Sequence, residues 1–177
     1  EALARMDAAL AQTHIVGLAT NVQFLRHVTT SASFAQANLD TALIPREAAA
    51  LFNQDKLGLP LAAAALGAHT LQAEQDHGAQ TDTAGWRDPW AQRDGWRSHG
   101  PSVRGFALEY AGEPHTVVLT TVRGGTTLAV AGQTLPLQWA VSATGALDLQ
   151  LGAQRVLALI YRNGDVAHVF TALGAIQ

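Results

Sequence analysis

Hydrophobic and polar positions change their period twice along this chain. Over residues 1–52 the spacing is mixed. Leu3, Met6 and Leu10 recur at three and four residues, the repeat of one helix face. His14-Ile-Val-Gly-Leu18 reads as a short strand. Thr20 or Asn21 is placed to cap a second helix, whose apolar residues Val22, Leu25 and Val28 recur every three. A short helix or turn about Phe34 follows, then Thr41–Ile44. A further helical stretch runs from Pro45 to Phe52, with proline in the first turn, where its missing N–H costs nothing. Glu1–Leu10 is already helical in pattern. A chain that opens mid-helix, without a start Met or a cap, reads as an excised segment.

Residues 59–77 predict one long helix. Pro60 suits its first turn, Leu61–Leu66 and Ala68–Glu74 are strong helix formers, and Gly78 suits its C-terminal cap. Its first half is apolar all round, from Leu61 to Leu66. Such a helix is enclosed by protein on several sides. Only Gln72–His77 looks wet.

Residues 78–103 have no period. They hold three of the chain's four tryptophans, Trp86, Trp90 and Trp96, interleaved with Arg87, Arg93, Arg97 and several aspartates. At about 25 residues this is a long loop, and long loops in compact domains are usually functional or disordered. Tryptophan is costly to leave in water, which favours an ordered binding loop. Arginine and aromatics are also the residues enriched at interface hot spots. Trp86, Arg87, Trp90, Arg93, Asp94, Trp96 and Arg97 are therefore the candidate partner-binding residues. The plainer reading has the tryptophans capping the open end of a barrel as part of its own core. Both hold if Trp96 lies inside and Trp86 or Trp90 outside.

From residue 104 the pattern turns to short strands: 104–110, 115–122, 126–130, 134–137, 138–142, 146–151, 155–161 and 165–171. Ala111-Gly112, Gly124-Gly125, Ala131-Gly132, Thr144-Gly145, Gly152-Ala153 and Asn163-Gly164 punctuate them. Asn163-Gly164 is the strongest hairpin signal. Many evenly spaced short strands imply a meander that closes as a barrel or folds as a sandwich. A buried, alanine-rich helix placed before such strands predicts an α+β fold. An antiparallel eight-stranded β-barrel wraps a long central helix, preceded by a small, mainly helical N-terminal segment.

Charge narrows the function classes. Charged residues make up 14% and apolar residues 48%, with alanine swelling the apolar count. The charged share falls below the usual quarter or so, which suits a surface partly covered by a partner, or simply an alanine-rich composition. The net charge of −3 comes with no basic stripe, so nucleic acid is not the expected partner. There is no cysteine, which removes disulfides, Cys-ligated zinc and thiol nucleophiles and agrees with a reducing cytoplasm. The longest apolar run, Leu57–Leu66, is broken by Gly58 and Pro60 and is about half of the ~20 residues a membrane span needs. No signal peptide is visible.

No catalytic constellation emerges. His14, His27, His69, His77, His99, His115 and His168 include no pair at the i, i+4 spacing of a helical zinc site. The glycines form neither a phosphate loop nor a dinucleotide fingerprint, and Lys56 is the only lysine. No Gly-x-Ser-x-Gly elbow occurs. Glu109 and Glu113 read as solvated carboxylates on a strand and turn.

Two stretches carry a resemblance. Ala2-Leu-Ala-Arg-Met6 with Ala9-Leu10, His14-Ile-Val-Gly-Leu-Ala-Thr-Asn21, Phe24-Leu25 and Thr41-Ala-Leu-Ile44 resemble the C-terminal end of a biotin carboxylase domain. Asp88-Pro-Trp90 and Asp94-Gly-Trp-Arg97, leading into a meander, resemble the region that follows it in biotin-dependent acyl-CoA carboxylase α subunits, most like those of 3-methylcrotonyl-CoA carboxylase. The resemblance implies two parts: residues 1–52 as the end of the biotin carboxylase domain, and residues 53–177 as the BT domain. In the latter it implies a helix over 59–77, a hook-like loop over 78–103 and a barrel over 104–177.

In that family the BT domain joins biotin carboxylase to carboxyltransferase. The implied partners are the carboxyltransferase β subunit and the rest of the α subunit, in a bacterial cytoplasm, with neither nucleic acid nor membrane. The complete enzyme uses biotin, ATP, magnesium and bicarbonate to carboxylate a branched enoyl-CoA; propionyl-CoA or a related substrate is also compatible. The ATP-binding part would lie upstream of Glu1, and the biotin-carrying Ala-Met-Lys-Met motif downstream of Gln177. No catalytic residue, cofactor or metal is therefore expected here. The strand His14–Leu18 would lack sheet neighbours. Residues 1–52 are thus expected to be partly rearranged, packed against another copy, or helical with a loose strand. A small-ligand-binding barrel is the main alternative, recognised by a pocket of several hundred Å³. A hydrolase or isomerase with an unrecognised site is the second.

Overall fold

The computed structural model describes residues 1–52, 57–78 and 99–176. Five helices come first: α1 (Ala2–Ala11), α2 (Val22–Thr30), α3 (Ala32–Ala35), α4 (Leu43–Leu51) and the long α5 (Gly58–Gly78). Eight strands follow: β1 (Ser102–Tyr110), β2 (Glu113–Val122), β3 (Gly125–Val130), β4 (Gln133–Val141), β5 (Leu147–Leu151), β6 (Gln154–Asn163), β7 (Val166–Thr171) and β8 (Gly174–Ile176). The strands lie in chain order in one eight-stranded sheet. Every pair with a described register is antiparallel. The α+β architecture expected from the sequence is present. The chain divides into two compact units, residues 59–160 and residues 1–58 with 161–177.

In the unit of residues 59–160, a curled sheet packs on α5. Leu61, Ala63, Ala64, Ala65 and Ala68 are all but inaccessible, at 4% exposure or less. The buried residues follow one another round the helix, as its unbroken apolar run requires. Facing them are Val117 and Leu119 of β2, Leu128 of β3, Leu137 of β4, and Leu149 and Leu151 of β5, each at most 2% exposed. Small side chains on the helix let the sheet approach closely. Gly67 is the tightest point: a Cβ there would stand 2.9 Å from Leu119 Cδ1.

The strands differ from expectation in three places. The segments 134–137 and 138–142 are one strand, β4, whose two halves pair on opposite sides. Its residues 133–137 pair with β3 and its residues 137–141 with β5, Leu137 belonging to both ladders. Such stagger is how a sheet curls. A short strand at 174–176 takes the eighth place. The β6–β7 turn is Gly164-Asp165, with Gly164 at φ +60° and Asn163 still in the strand. The left-handed residue comes first, as in a type II′ turn.

In the other unit, α1, α2 and α4 appear near their expected positions. The helix begun by Pro45 starts earlier, at Leu43, and Glu47 interrupts it with non-helical torsions. The Ser33 hydroxyl hydrogen-bonds the Glu47 carboxylate there. Arg26 of α2 is held by Asp7 of α1 at 2.9 Å and also donates to the Ala172 carbonyl at 3.2 Å. His27 Nδ1–H donates to the Leu51 carbonyl at 2.9 Å, which leaves Nε2 to accept from the Gln23 amide at 2.9 Å.

His14–Leu18 is not a strand. It runs as a loop against the β6–β7 hairpin. The His14 ring lies 4.5 Å from Phe170 and 5.8 Å from Tyr161, and its Nδ1 is 3.3 Å from the Tyr161 hydroxyl. Of the outcomes expected for residues 1–52, the helical one with a loose strand segment is observed. Gly17, at φ +83°, makes the turn in that loop.

Candidate functional site: the frame of the tryptophan–arginine segment

The partner-binding residues expected from the sequence, Trp86, Arg87, Trp90, Arg93, Asp94, Trp96 and Arg97, lie outside the described residues. What is described is the frame they hang from, the end of α5 before them and the start of β1 after them. Alternation along β1 turns Arg104, Phe106 and Leu108 towards the helix. A charged residue on that side needs a partner, because burying an unpaired charge is costly. Glu74, on the last turns of α5, supplies it. Both guanidinium Nη atoms of Arg104 donate to the carboxylate, Nη2 to Oε1 at 2.7 Å and Nη1 to Oε2. The two side chains are 37% and 25% exposed. Hydrogen bonding to Glu74 raises the Arg104 pKa above its usual value, outweighing the opposite effect of partial burial, and the carboxylate charge adds to the rise. The guanidinium also lies over the Phe106 ring, 5.7 Å from its centre.

A second tie runs beside the first. Trp139 of β4, the fourth tryptophan, points inward, and its Nε1–H donates to Gln72 Oε1 at 3.1 Å. The Gln72 amide in turn donates to Asp76 Oδ1 at 2.9 Å. The chain therefore leaves α5 and enters β1 from positions fixed by two polar ties between helix and sheet. Gln72–His77, expected as a wet helix end, instead supplies both ties through Gln72 and Glu74, and Trp139 joins the frame unforeseen. The usable signal was the alternation in β1, which puts Arg104 on the same face as Phe106.

A pocket of only about 10 Å³ lies between helix and sheet, lined by Ala63, Gly67, Thr70 and Phe106 among others. That is about one water's worth of space and far from the several hundred Å³ of a small-molecule site. This pocket, among the described residues, gives the ligand-binding alternative no support. Among the described residues no three His, Asp or Glu side chains gather to hold a metal ion. No described helix is long and apolar enough to cross a membrane.

Residues 58–177 match the family described as the BT domain of the methylcrotonyl-CoA carboxylase alpha subunit, and the chain belongs to that family.

Proposed function

We propose that this chain is a non-catalytic docking module, which holds the biotin carboxylase part of an acyl-CoA carboxylase α subunit against the carboxyltransferase β subunit. Membership of the BT family over residues 58–177 carries the reading. The Glu74–Arg104 and Gln72–Trp139 ties support it, because a contact segment gains affinity when its ends are fixed beforehand. The contact residues assigned are Trp86, Arg87, Trp90, Arg93, Asp94, Trp96 and Arg97. Aromatic and arginine side chains desolvate well at the centre of an interface.

Residues 1–52 are read as the end of a biotin carboxylase domain. Biotin, ATP, magnesium and bicarbonate belong to the complete enzyme and are not assigned to this chain. The parent reaction is ATP- and bicarbonate-dependent carboxylation of a branched enoyl-CoA in a bacterial cytoplasm.

Calorimetry tests the reading. The chain is titrated with the cognate carboxyltransferase subunit, beside a triple Trp86→Ala, Trp90→Ala, Trp96→Ala variant whose fold is verified by circular dichroism. Binding that the folded variant loses is the expected result. Equal binding by both removes the segment from the interface, and no binding by the wild-type chain refutes the docking role.

A further inference from the structure

The outward face of β1–β4 carries almost no charge. Between Ser102 and Val141 the charged residues are Arg104, Glu109, Glu113 and Arg123. Arg104 is turned inward to Glu74, Glu113 and Arg123 sit at hairpin ends, and Glu109 occupies the corner opposite Pro114. The strand registers set the remaining outward positions in rows. One row crosses four strands as Val103, Thr120, Thr127 and Pro136, and the next as Gly105, Val118, Ala129 and Thr134. Val103 and Val122 are 54% and 51% exposed. The outward face of β5–β6 is different: it bears Gln150 and the Asp148–Arg155 ion pair. A water-facing surface usually carries about a quarter to a third charged residues, and this face carries only Glu109, at its margin.

We propose that this face is a self-association surface, on which a second copy of the chain packs sheet against sheet. Each outward residue covers about 4.8 by 6.7 Å of sheet, so the charge-free area is roughly 500 Å² per copy and about 1,000 Å² in a pair. That reaches the lower bound for a specific interface and describes a weak dimer, not an obligate one. A surface of valine, threonine, alanine, glycine and proline, with the one glutamine Gln138, suits its own copy. It brings no like charges together across a two-fold axis and desolvates no ion. Its short side chains let two sheets approach to the ~10 Å of a sandwich, and their twist lets them nest when crossed.

Sedimentation velocity on the full chain over a concentration series tests this. The wild-type chain shifts from monomer to dimer as concentration rises, and added salt does not reverse the shift, because no charge pair holds the interface. Thr120→Lys with Ala129→Lys places cations at the centre of the patch and weakens the dimer more than about tenfold. Leu157→Lys, on the outward face of β6 and one strand further from the patch, leaves it unchanged. A wild-type chain that stays monomeric overturns the proposal without recourse to any variant. So does a dimer that salt dissolves, or one that persists in the folded double variant.

Discussion

Gly67 and Leu119 meet where the helix comes closest to the sheet: a Cβ on Gly67 would lie 2.9 Å from Leu119 Cδ1. The contact decides the outcome of Gly67→Ala. On an exposed helix that change gains up to about 1 kcal/mol, because glycine is the poorer helix former. Here Leu119 is 1% exposed, so moving its methyl group aside disturbs a buried side chain. Overpacking costs about 1–3 kcal/mol, so the net effect is a loss of stability. Urea unfolding measures it. Adding Leu119→Val to Gly67→Ala removes the clashing group and recovers part of the loss.

Glu74→Gln breaks the two-pronged bond to Arg104. The pair is partly screened by solvent, so the stability cost is modest, about 1 kcal/mol. The larger effect falls on the frame of the tryptophan–arginine segment. Under the docking role, carboxyltransferase affinity falls by more than the stability loss accounts for. Calorimetry well below the unfolding temperature, where the variant stays folded, separates the two.

Much of this architecture was legible because its signals are local. Pro60 and the alanine run mark α5, and glycine pairs mark most of the hairpins. The misread places depend on distant partners. Pro136 and the change of pattern after Leu137 suggest two strands, yet one strand serves two neighbours, and only the register reveals it. His14-Ile-Val-Gly-Leu18 has strand composition, but no strand pairs with it and aromatic packing on the β6–β7 hairpin takes over. β8 has three residues, too few for any period to appear. The Glu74–Arg104 tie joins residues thirty apart in sequence, and no local pattern couples them.

Ala131 and Gly132 turn the β3–β4 hairpin with φ of +49° and +74°, the two left-handed residues of a type I′ turn. Alanine resists that conformation, while asparagine accepts it far more readily. Ala131→Asn creates the preferred Asn-Gly pair and stabilises the chain by up to about 1 kcal/mol. A higher urea midpoint with an unchanged slope is the expected result. A lower midpoint would contradict the turn assignment.

Asp148 of β5 and Arg155 of β6 are diagonal neighbours across the two strands, bonded at 2.8 and 2.5 Å. The hydrogen bonds from Arg155 hold the Asp148 pKa below its ordinary value, and the nearby positive charge acts in the same sense. A carboxylate whose pKa is depressed on folding stabilises the folded chain above the unfolded pKa, about 3.9. That contribution fades as pH falls through the lower folded value, because protons then bind the unfolded chain more tightly. Asp148→Asn removes it. Thermal melts of both proteins from neutral to strongly acidic pH therefore diverge most near neutrality, the variant melting lower, and converge in acid. The gap is small, because the pair lies on the surface. A gap that widened as the pH fell would place the acid sensitivity on other carboxylates.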